Sequence, residues 1–204
     1  MKILLTSTGL STKKIQDRFF TLLPKPVSEC VVAFIPTASR TPEERIYSNR
    51  SETELLEAGI LENNIVHVEL ENMVDMQKIE SADIIYVCGG NTFYLLQQMN
   101  TSGFTEWISS KGKSNKLYIG VSAGSVVAGP TVELLHYLKD TDQNDCGLEN
   151  FDGLGLTECL VCPHYSLHME DDIQKFEKEY GKQVERISDS EALLDEGNKN
   201  YFLI

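Results

Sequence analysis

Near its middle the chain reads Leu117-Tyr118-Ile119-Gly120-Val121-Ser122-Ala123-Gly124, an apolar run that leads into a G-x-S-x-G pentapeptide. The residues that follow, Ser125–Ala128, predict a short helix. A strand, a sharp turn and a helix form the context in which G-x-S-x-G is typical of a nucleophile elbow. In such a turn a serine hydroxyl stands at the end of a strand, and the glycines avoid collisions with neighbouring elements. This stretch predicts an α/β fold with Ser122 as a candidate nucleophile.

Apolar, strand-like runs alternate with amphipathic, helix-like segments along the chain. The predicted strands are Lys2–Thr6, Cys30–Pro36, Ile65–Glu69, Asp83–Cys88, Leu117–Gly120, Cys159–Cys162, Arg186–Ile187, Glu191–Leu194 and Tyr201–Ile204. The predicted helices are Ser11–Leu23, Pro42–Ala58, Met76–Ser81, Thr92–Met99, Gly103–Ser110 and Asp171–Tyr180. This alternation is typical of a mostly parallel sheet covered by helices on both faces. No internal repeat or linker interrupts it, so we expect one α/β domain over residues 1–204.

The composition argues against several classes of partner. Hydrophobic residues make up 41% of the chain and charged residues 24%, as in an ordinary globular protein. With 31 acidic and 18 basic side chains the net charge is −13, so we expect neither nucleic acid nor an anionic membrane as a partner. The apolar run at Met1–Ser7 is too short for a signal peptide, and an odd number of cysteines suits a reducing compartment. We expect a cytoplasmic protein, either a monomer or a homodimer.

Cys159-Leu160-Val161-Cys162 has the C-x-x-C spacing of metal and redox sites. Either use would require a second pair of ligands or a helix N-terminus. Here the pair lies in a strand-like run, in which residues three apart point to opposite faces. We therefore expect buried structural cysteines.

A serine hydroxyl becomes an effective nucleophile when a base removes its proton, and histidine is the usual base. The chain has four histidines. His164 follows the predicted strand Cys159–Cys162, so it lies just beyond the carboxyl end of a strand, as Ser122 does. Ligands bind at this edge of open parallel sheets. We predict that His164 reaches Ser122 and serves as its base.

A third group should accept a hydrogen bond from the other imidazole nitrogen. The irregular loop between the serine and the histidine carries Asp140, Asp142 and Asp145, and Glu133 lies closer to the elbow. Asp140 is our first candidate for this acid and Asp142 the next.

An oxyanion hole needs two converging N–H groups. The residue after the nucleophile, Ala123, supplies one of them. The segment Val87–Thr92 ends a predicted strand in paired glycines, which let the backbone approach a ligand closely, and then starts a helix. This segment predicts a tight strand-to-helix turn, and the same turn can supply the second N–H donor of the oxyanion hole.

Three segments taken together resemble the peptidase E family of serine peptidases, which comprises the α-aspartyl dipeptidases and their cyanophycinase relatives. They are Cys88–Phe93, Gly120–Ser125 and Pro163–Tyr165, and Ile35–Ser39 resembles a further family segment. The combination of Gly-Gly-Asn with G-x-S-A-G is more specific than either part. The resemblance implies a flavodoxin-like three-layer sandwich, related to class I glutamine amidotransferases, and a Ser-His-Asp/Glu triad without metal or organic cofactor.

Position by position, the resemblance implies that Ser122 is the nucleophile and His164 the base. It implies that Gly90 and Ala123 donate the oxyanion N–H groups. It also implies a small peptide substrate, as for a dipeptidase, with peptides that begin with Asp among the candidates.

The same resemblance implies that Asn91 and Thr92 line the substrate pocket, but two features depart from the family pattern. The aspartyl dipeptidases read an N-terminal Asp with an arginine after the catalytic histidine, whereas Tyr165–Asp172 has no arginine and ends in three acids. An anionic substrate side chain would be repelled there unless a more distant base turns inward, such as Arg40, Arg45 or Lys175. The loop after Pro130 also lacks the segment in which the dipeptidases carry their Asp, and Asp140 matches only a cyanophycinase-like spacing.

Two other functions stay open on the sequence. An esterase or amidase would use the same serine, histidine and acid, and the order Ser, Asp, His also occurs in α/β-hydrolases. A homologue with an incomplete triad would instead bind a peptide or metabolite without turning it over.

Overall fold

The computed structural model of the chain describes residues 1–71, 74, 76–110, 115–139, 141–196 and 201–204. The strands within these residues are β1 (Lys2–Thr6), β2 (Val32–Ile35), β3 (Ile65–His67), β4 (Ile84–Val87), β5 (Leu117–Val121), β6 (Leu160–Cys162), β7 (Val184–Arg186), β8 (Ala192–Asp195) and β9 (Tyr201–Leu203). Seven of them form one sheet in the order β3-β2-β4-β5-β1-β8-β9. The first five strands in that order run parallel, whereas β8 runs antiparallel to β1 and β9 antiparallel to β8.

Helices cover both faces of this sheet. They are α1 (Lys13–Leu22), α2 (Pro42–Glu57), α3 (Met76–Glu80), α4 (Thr92–Thr101), α5 (Phe104–Ser110), α6 (Ala123–Val126) and α7 (Glu170–Tyr180). Among the described residues, no helix combines the length and the apolar character needed to cross a bilayer.

The side chains of the central strands alternate between two buried layers. Phe34 and Ile119 belong to an apolar cluster that includes residues of α1 and α2. Ile35, Val87 and Tyr118 point the other way, into a cluster that includes residues of α4 and α5. Full burial of a large apolar side chain contributes about 1.5–3 kcal/mol, so both layers stabilise the sheet. The predicted mostly parallel, three-layer α/β fold is confirmed.

Helix starts follow local sequence signals. Thr41 and Glu44 form a reciprocal capping box at the start of α2, with Pro42 as the first helical residue. The side chain of Asn91 accepts a hydrogen bond of 2.9 Å from the Tyr94 N–H and so caps α4. These caps set where the loops at the carboxyl edge of the sheet give way to helix.

The strands β6 and β7 lie apart from the central sheet and pair with each other in parallel, with Cys162 opposite Arg186. They pack against Ile173 and Phe176 of α7. The predicted strand Cys159–Cys162 is therefore present, but the expectation that it joins the central parallel sheet is wrong. The position beside β1 is taken by β8, which pairs with β1 through antiparallel hydrogen bonds.

The two cysteines of the C-x-x-C stretch are both buried, and they face different layers. Cys159 belongs to the cluster on the α4 side of the sheet, whereas Cys162 belongs to the cluster under α7. Burial raises the pKa of the Cys162 thiol to about 11. Both thiols are free, which confirms the prediction of buried structural cysteines.

Candidate active site

Ser122 occupies a sharp turn between β5 and α6. Its backbone has φ 49° and ψ −110°, a region that residues with a side chain rarely adopt. Its N–H donates a hydrogen bond of 2.9 Å to the Thr6 carbonyl at the end of β1, and its carbonyl accepts one from Ser125 N–H at 2.8 Å. The neighbouring strand and the helix thus hold a strained residue in place, as is usual at functional sites.

Close backbone contacts explain the two glycines of the pentapeptide. A Cβ at Gly120 would lie 2.5 Å from the Gly124 carbonyl oxygen, and a Cβ at Gly124 would lie 2.3 Å from the Val87 carbonyl oxygen. Only glycine therefore lets β4, β5 and α6 approach this closely. The buried hydroxyl of Ser125 completes the packing, because it accepts a hydrogen bond of 3.0 Å from Thr6 N–H.

His164 reaches Ser122 from the small sheet. It follows β6, has φ 54°, and its Nε2 lies 3.1 Å from Ser122 Oγ. Its backbone N–H donates a hydrogen bond of 3.0 Å to the hydroxyl of Ser7, which in turn donates to the Ile187 carbonyl at 2.9 Å. The buried Ser7 hydroxyl therefore ties the loop after β6 to the loop after β7.

Asp189 lies on the far side of the imidazole. Its Oδ1 is 2.6 Å from His164 Nδ1, and its backbone carbonyl accepts a hydrogen bond of 2.8 Å from the Thr8 hydroxyl. A proton on Nδ1 satisfies this carboxylate and leaves Nε2 free to accept the proton of Ser122. The His164 and Asp189 side chains are 46% and 67% exposed, so water reaches this pair.

Of the acids named from the sequence, the three that the structure describes do not contact the imidazole. Asp140, the first candidate, lies outside the described residues. Asp142 uses Oδ2 to accept two hydrogen bonds from Thr92, one from its N–H at 2.8 Å and one from its hydroxyl at 2.6 Å. The described carboxylate that pairs with His164 is Asp189, and neither Asp145 nor Glu133 is a partner of its ring.

Asp189 is not among the acids predicted from the sequence, because all of those lie between the serine and the histidine along the chain. A usable signal was present all the same. His164 follows the carboxyl end of β6, and Asp189 follows the carboxyl end of β7, the parallel neighbour of β6. Residues that follow the same ends of adjacent parallel strands come together at one edge.

The paired glycines pass directly against Ser122. A Cβ at Gly89 would lie 3.1 Å from the Ser122 Cβ. Gly90 has φ 134°, and a Cβ there would lie 2.0 Å from the Ala38 carbonyl oxygen, so both its backbone conformation and its surroundings require glycine. Ala123 is the first residue of α6. Within the described residues, neither the Gly90 N–H nor the Ala123 N–H has a hydrogen-bond acceptor. Both N–H groups are therefore available to a ligand at Ser122.

Two cavities meet at the Ser122–His164 pair, and Asp142 lines both of them. The smaller has a volume of about 240 Å³ and includes Thr92 in its wall. The larger, of about 550 Å³, has the charged side chains of Glu44, Arg50 and Asp189 in its wall.

Asn91 is described but is not part of either wall. Its Oδ1 caps α4, and its Nδ2 donates a hydrogen bond of 2.9 Å to the Gln143 carbonyl. It thereby holds the loop that carries Asp142 against the start of α4. In the part of the chain that the structure describes, no three side chains of His, Cys, Asp or Glu gather as metal ligands would.

Comparison with known proteins decides the family. The model of peptidase family S51 matches residues 3–201 of the chain. The chain belongs to peptidase family S51. This membership agrees with the resemblance to peptidase E and places the chain within a family of peptidases.

Several proteins with sequences similar to this chain are named as peptidases. An uncharacterized peptidase of Listeria monocytogenes is 34% identical over 172 residues, which are 82% of this chain and 83% of the relative. An uncharacterized peptidase of Pasteurella multocida is 34% identical over 137 residues, 66% of this chain and 65% of the relative. Peptidase E of Salmonella arizonae is 33% identical over 133 residues, 65% of this chain but 54% of the relative, so the match spans about half of that protein.

Solved structures agree with this assignment. One is the crystal structure of a Listeria monocytogenes protein provisionally named a peptidase E, whose sequence is 28% identical to this chain. The alignment covers 100% of this chain and 97% of the Listeria chain, with a TM-score of 0.77. A peptidase from an acI-B1 Actinobacterium, 16% identical, covers 100% of this chain and 86% of its own with a TM-score of 0.64, and it shares the fold.

Proposed function

We propose that this S51 chain is a serine peptidase that hydrolyses small peptides, in the manner of a dipeptidase, through an acyl-enzyme on Ser122. One observation carries the proposal. A continuous hydrogen-bonded path runs from Ser122 Oγ to His164 Nε2 at 3.1 Å and from His164 Nδ1 to Asp189 Oδ1 at 2.6 Å. This path begins at a strained elbow in a chain that belongs to a peptidase family.

In the acylation step, Ser122 Oγ forms a bond to the carbonyl carbon of the scissile peptide while its proton passes to His164 Nε2. The carboxylate of Asp189 keeps the imidazole in orientation and stabilises the positive charge that it gains. The carbonyl oxygen becomes an oxyanion, to which the N–H groups of Gly90 and Ala123 donate. The C–N bond then breaks, and the leaving amine takes the proton from Nε2.

In the deacylation step, a water molecule loses a proton to His164 Nε2 and attacks the ester carbon of the acyl-enzyme. The C–O bond to Ser122 breaks, and Oγ recovers a proton from the same nitrogen. The products are an acid and an amine, and the enzyme returns to its starting protonation state. No step requires a group beyond the three side chains, the two N–H donors and water.

The size of the site supports small peptides as substrates. The cavities beside Ser122 measure about 240 and 550 Å³, so the smaller lies below and the larger within the range of about 300–1,000 Å³ that is usual for small-molecule pockets. Thr141 and Asp142 line the smaller cavity and belong to the loop that follows the short 3-10 helix Glu133–His136. A folded protein chain would have to displace this loop to reach Ser122. As a further part of the proposal, the five unpaired thiols suit a reducing compartment such as the cytoplasm.

A fluorophosphonate probe and a panel of dipeptides test the proposal together. The probe should label the parent protein on Ser122, as located by peptide mapping, and leave Ser122→Ala unlabelled. The parent should release both amino acids from dipeptides, and Ser122→Ala should lose this activity with an unchanged circular dichroism spectrum. Ester hydrolysis without any dipeptide hydrolysis would replace the peptidase with an esterase, and a folded parent that neither labels nor turns over would mean a binding protein.

A further inference from the structure

The smaller cavity beside Ser122 is largely apolar. Its apolar walls come from Val126, Leu134, Leu135, Leu138, Val161 and Met169. Among its described lining residues there is no lysine or arginine, and Asp142 is the one carboxylate. A volume of about 240 Å³ suits a single apolar side chain, whereas an anionic side chain would find no cation among these residues.

Asp142 is held rigidly at the mouth of this cavity. Its Oδ2 accepts hydrogen bonds from the N–H and the hydroxyl of Thr92, which is 2% exposed. The neighbouring Gln143 carbonyl is fixed by Asn91 Nδ2 at 2.9 Å. The other carboxylate oxygen, Oδ1, accepts no hydrogen bond from a described residue and is therefore free for a ligand.

The position of Asp142 relates it to the reacting bond. It lines both cavities together with Ser122 and His164, so it lies where the cavities meet the nucleophile. In a peptide attacked at its first peptide bond, the α-ammonium group is attached to the carbon next to the reacting carbonyl. That ammonium must therefore lie near the junction of the two cavities. A fixed carboxylate with a free oxygen is the group that an ammonium pairs with.

We infer that Asp142 binds the α-ammonium group of the substrate and that the smaller cavity holds an apolar side chain of its first residue. The substrate class is thus short peptides with a free N-terminus and an apolar first residue such as leucine. The inference rests on the proposed serine peptidase activity and specifies its substrate. The larger cavity then receives the second residue, whose carboxylate Arg50 can meet.

Three peptides and two variants test the inference. The peptides are Leu-Ala, N-acetyl-Leu-Ala and Asp-Ala, with release of free alanine as the readout. The parent should cleave Leu-Ala with a kcat/KM at least tenfold above that for either of the others. Asp142→Asn, which retains an oxygen for Thr92, should lose about 10- to 100-fold on Leu-Ala and little on N-acetyl-Leu-Ala, as expected for a lost charge-assisted hydrogen bond. The matched control is Asp145→Asn, which changes an exposed residue of the same loop. It should keep the parent's ratio of kcat/KM for Leu-Ala to kcat/KM for N-acetyl-Leu-Ala.

The outcomes separate this inference from the proposed function. The assignment is overturned, while the peptidase activity stands, if the parent cleaves Leu-Ala and N-acetyl-Leu-Ala equally or prefers Asp-Ala. It is also overturned if Asp142→Asn has the same ratio of kcat/KM for these two leucine peptides as the parent. Fluorophosphonate labelling of Ser122 should proceed at the parent rate in Asp142→Asn. Loss of labelling there would mean that Asp142 acts on the nucleophile, which also overturns the assignment. A parent that cleaves no peptide would overturn the proposed function, and the inference with it.

Discussion

Asp189 Oδ1 lies 2.6 Å from His164 Nδ1, although the aspartate follows the histidine by 25 residues. The chain order of the proposed triad is therefore Ser, His, Asp. The two residues meet because each follows one of the paired parallel strands β6 and β7, which lie beside the central sheet. An imidazole oriented in this way presents Nε2 to Ser122.

Replacement of Asp189 by Asn should lower kcat by about 10²–10⁴-fold, because the amide no longer favours the Nδ1-protonated tautomer or stabilises the imidazolium. The lower part of this range is expected, since the Asp189 side chain is 67% exposed and water partly replaces its charge. Steady-state kinetics on a dipeptide, with KM measured separately, would check it.

Asp140→Asn and Asp145→Asn are the comparison variants for the acid. Both should keep kcat within a few-fold of the parent if Asp189 is the acid. A large loss in Asp140→Asn together with a small loss in Asp189→Asn would assign the role to Asp140 instead.

The elements that could be predicted from the sequence are those with local signals. The strand, turn and helix around Ser122 are encoded within one short stretch, and seven of the nine predicted strands belong to the central sheet. Caps such as Asn91 mark helix starts in the same local way. For these elements, hydrophobic periodicity and glycine placement suffice.

The parts that could not be predicted depend on contacts between distant segments. The strand that precedes His164 pairs with β7 and not with the central sheet, because β8 occupies the edge beside β1. That pairing decides which acid meets the imidazole. In the sequence, Asp142 and Asp189 are both loop aspartates. In the structure, the pairing of β6 with β7 brings Asp189 to the imidazole, whereas Asp142 binds Thr92 at the start of α4.

Ser7→Ala should impair both stability and turnover. The Ser7 hydroxyl accepts from the His164 N–H and donates to the Ile187 carbonyl, and Ser7 is 1% exposed. Its loss leaves the part-buried His164 N–H without this acceptor, at a cost of about 1 kcal/mol in the free energy of unfolding. Ser7 also lines the larger cavity, but its hydroxyl is engaged by His164 and Ile187, so kcat should fall about tenfold or more with a smaller change in KM.

Urea unfolding and steady-state kinetics would check the Ser7 prediction. The control is Ser81→Ala, which removes an exposed hydroxyl at the end of α3 and should leave both quantities unchanged. Parent-like kcat in a destabilised Ser7→Ala protein would show that the loop geometry does not depend on this hydroxyl.

Gly124→Ala should destabilise the fold and disable the elbow. The added Cβ would lie 2.3 Å from the Val87 carbonyl oxygen, so β4 and α6 must move apart. Overpacking of this kind costs about 1–3 kcal/mol or more, and the displacement would shift Ser122. Gly147→Ala is the control, because its Cβ meets nothing within 4 Å and only its φ of 68° is unfavourable, at about 1 kcal/mol.

Thermal unfolding and fluorophosphonate labelling would compare the two glycine variants. Gly124→Ala should show the larger loss of stability and slow labelling of Ser122, whereas Gly147→Ala should label at the parent rate. Equal stability of the two proteins would contradict the close contact at Val87.

Thiol reactivity should distinguish Cys146 from the other four cysteines. Cys30, Cys88, Cys159 and Cys162 are buried, and burial raises the pKa of each thiol. A high thiol pKa and lack of access both slow reaction with a disulfide reagent such as DTNB. At pH 8 the native protein should therefore show one fast-reacting thiol, absent in Cys146→Ser. A fast-reacting thiol in that variant would show that at least one of the four buried cysteines is accessible.

The stability of the protein at low pH should depend on Glu170, which holds the loop after His164. Arg186 Nη2 lies 2.9 Å from Glu170 Oε1, and the Tyr165 hydroxyl donates to Oε2 at 2.9 Å. Hydrogen bonds from Arg186, then from Gln174 and Tyr165, lower the pKa of Glu170 from 4.5 to about 2. A carboxyl whose pKa is lowered on folding stabilises the protein above its unfolded pKa and loses this effect as the pH falls through the folded value.

Urea midpoints measured between about pH 5 and pH 2.5 would test the contribution of Glu170, because this range starts above its unfolded pKa of 4.5 and approaches its folded pKa of about 2. The parent should lose stability more steeply than Glu170→Gln as the pH falls, since the glutamine cannot take up the proton. At pH 7 the variant should be the less stable of the two, and the difference should shrink on acidification. Glu185→Gln, which changes the same charge on the neighbouring strand β7, is the control and should follow the parent curve. Parallel curves for the parent and Glu170→Gln would mean that the Arg186 pairing does not hold this loop in solution.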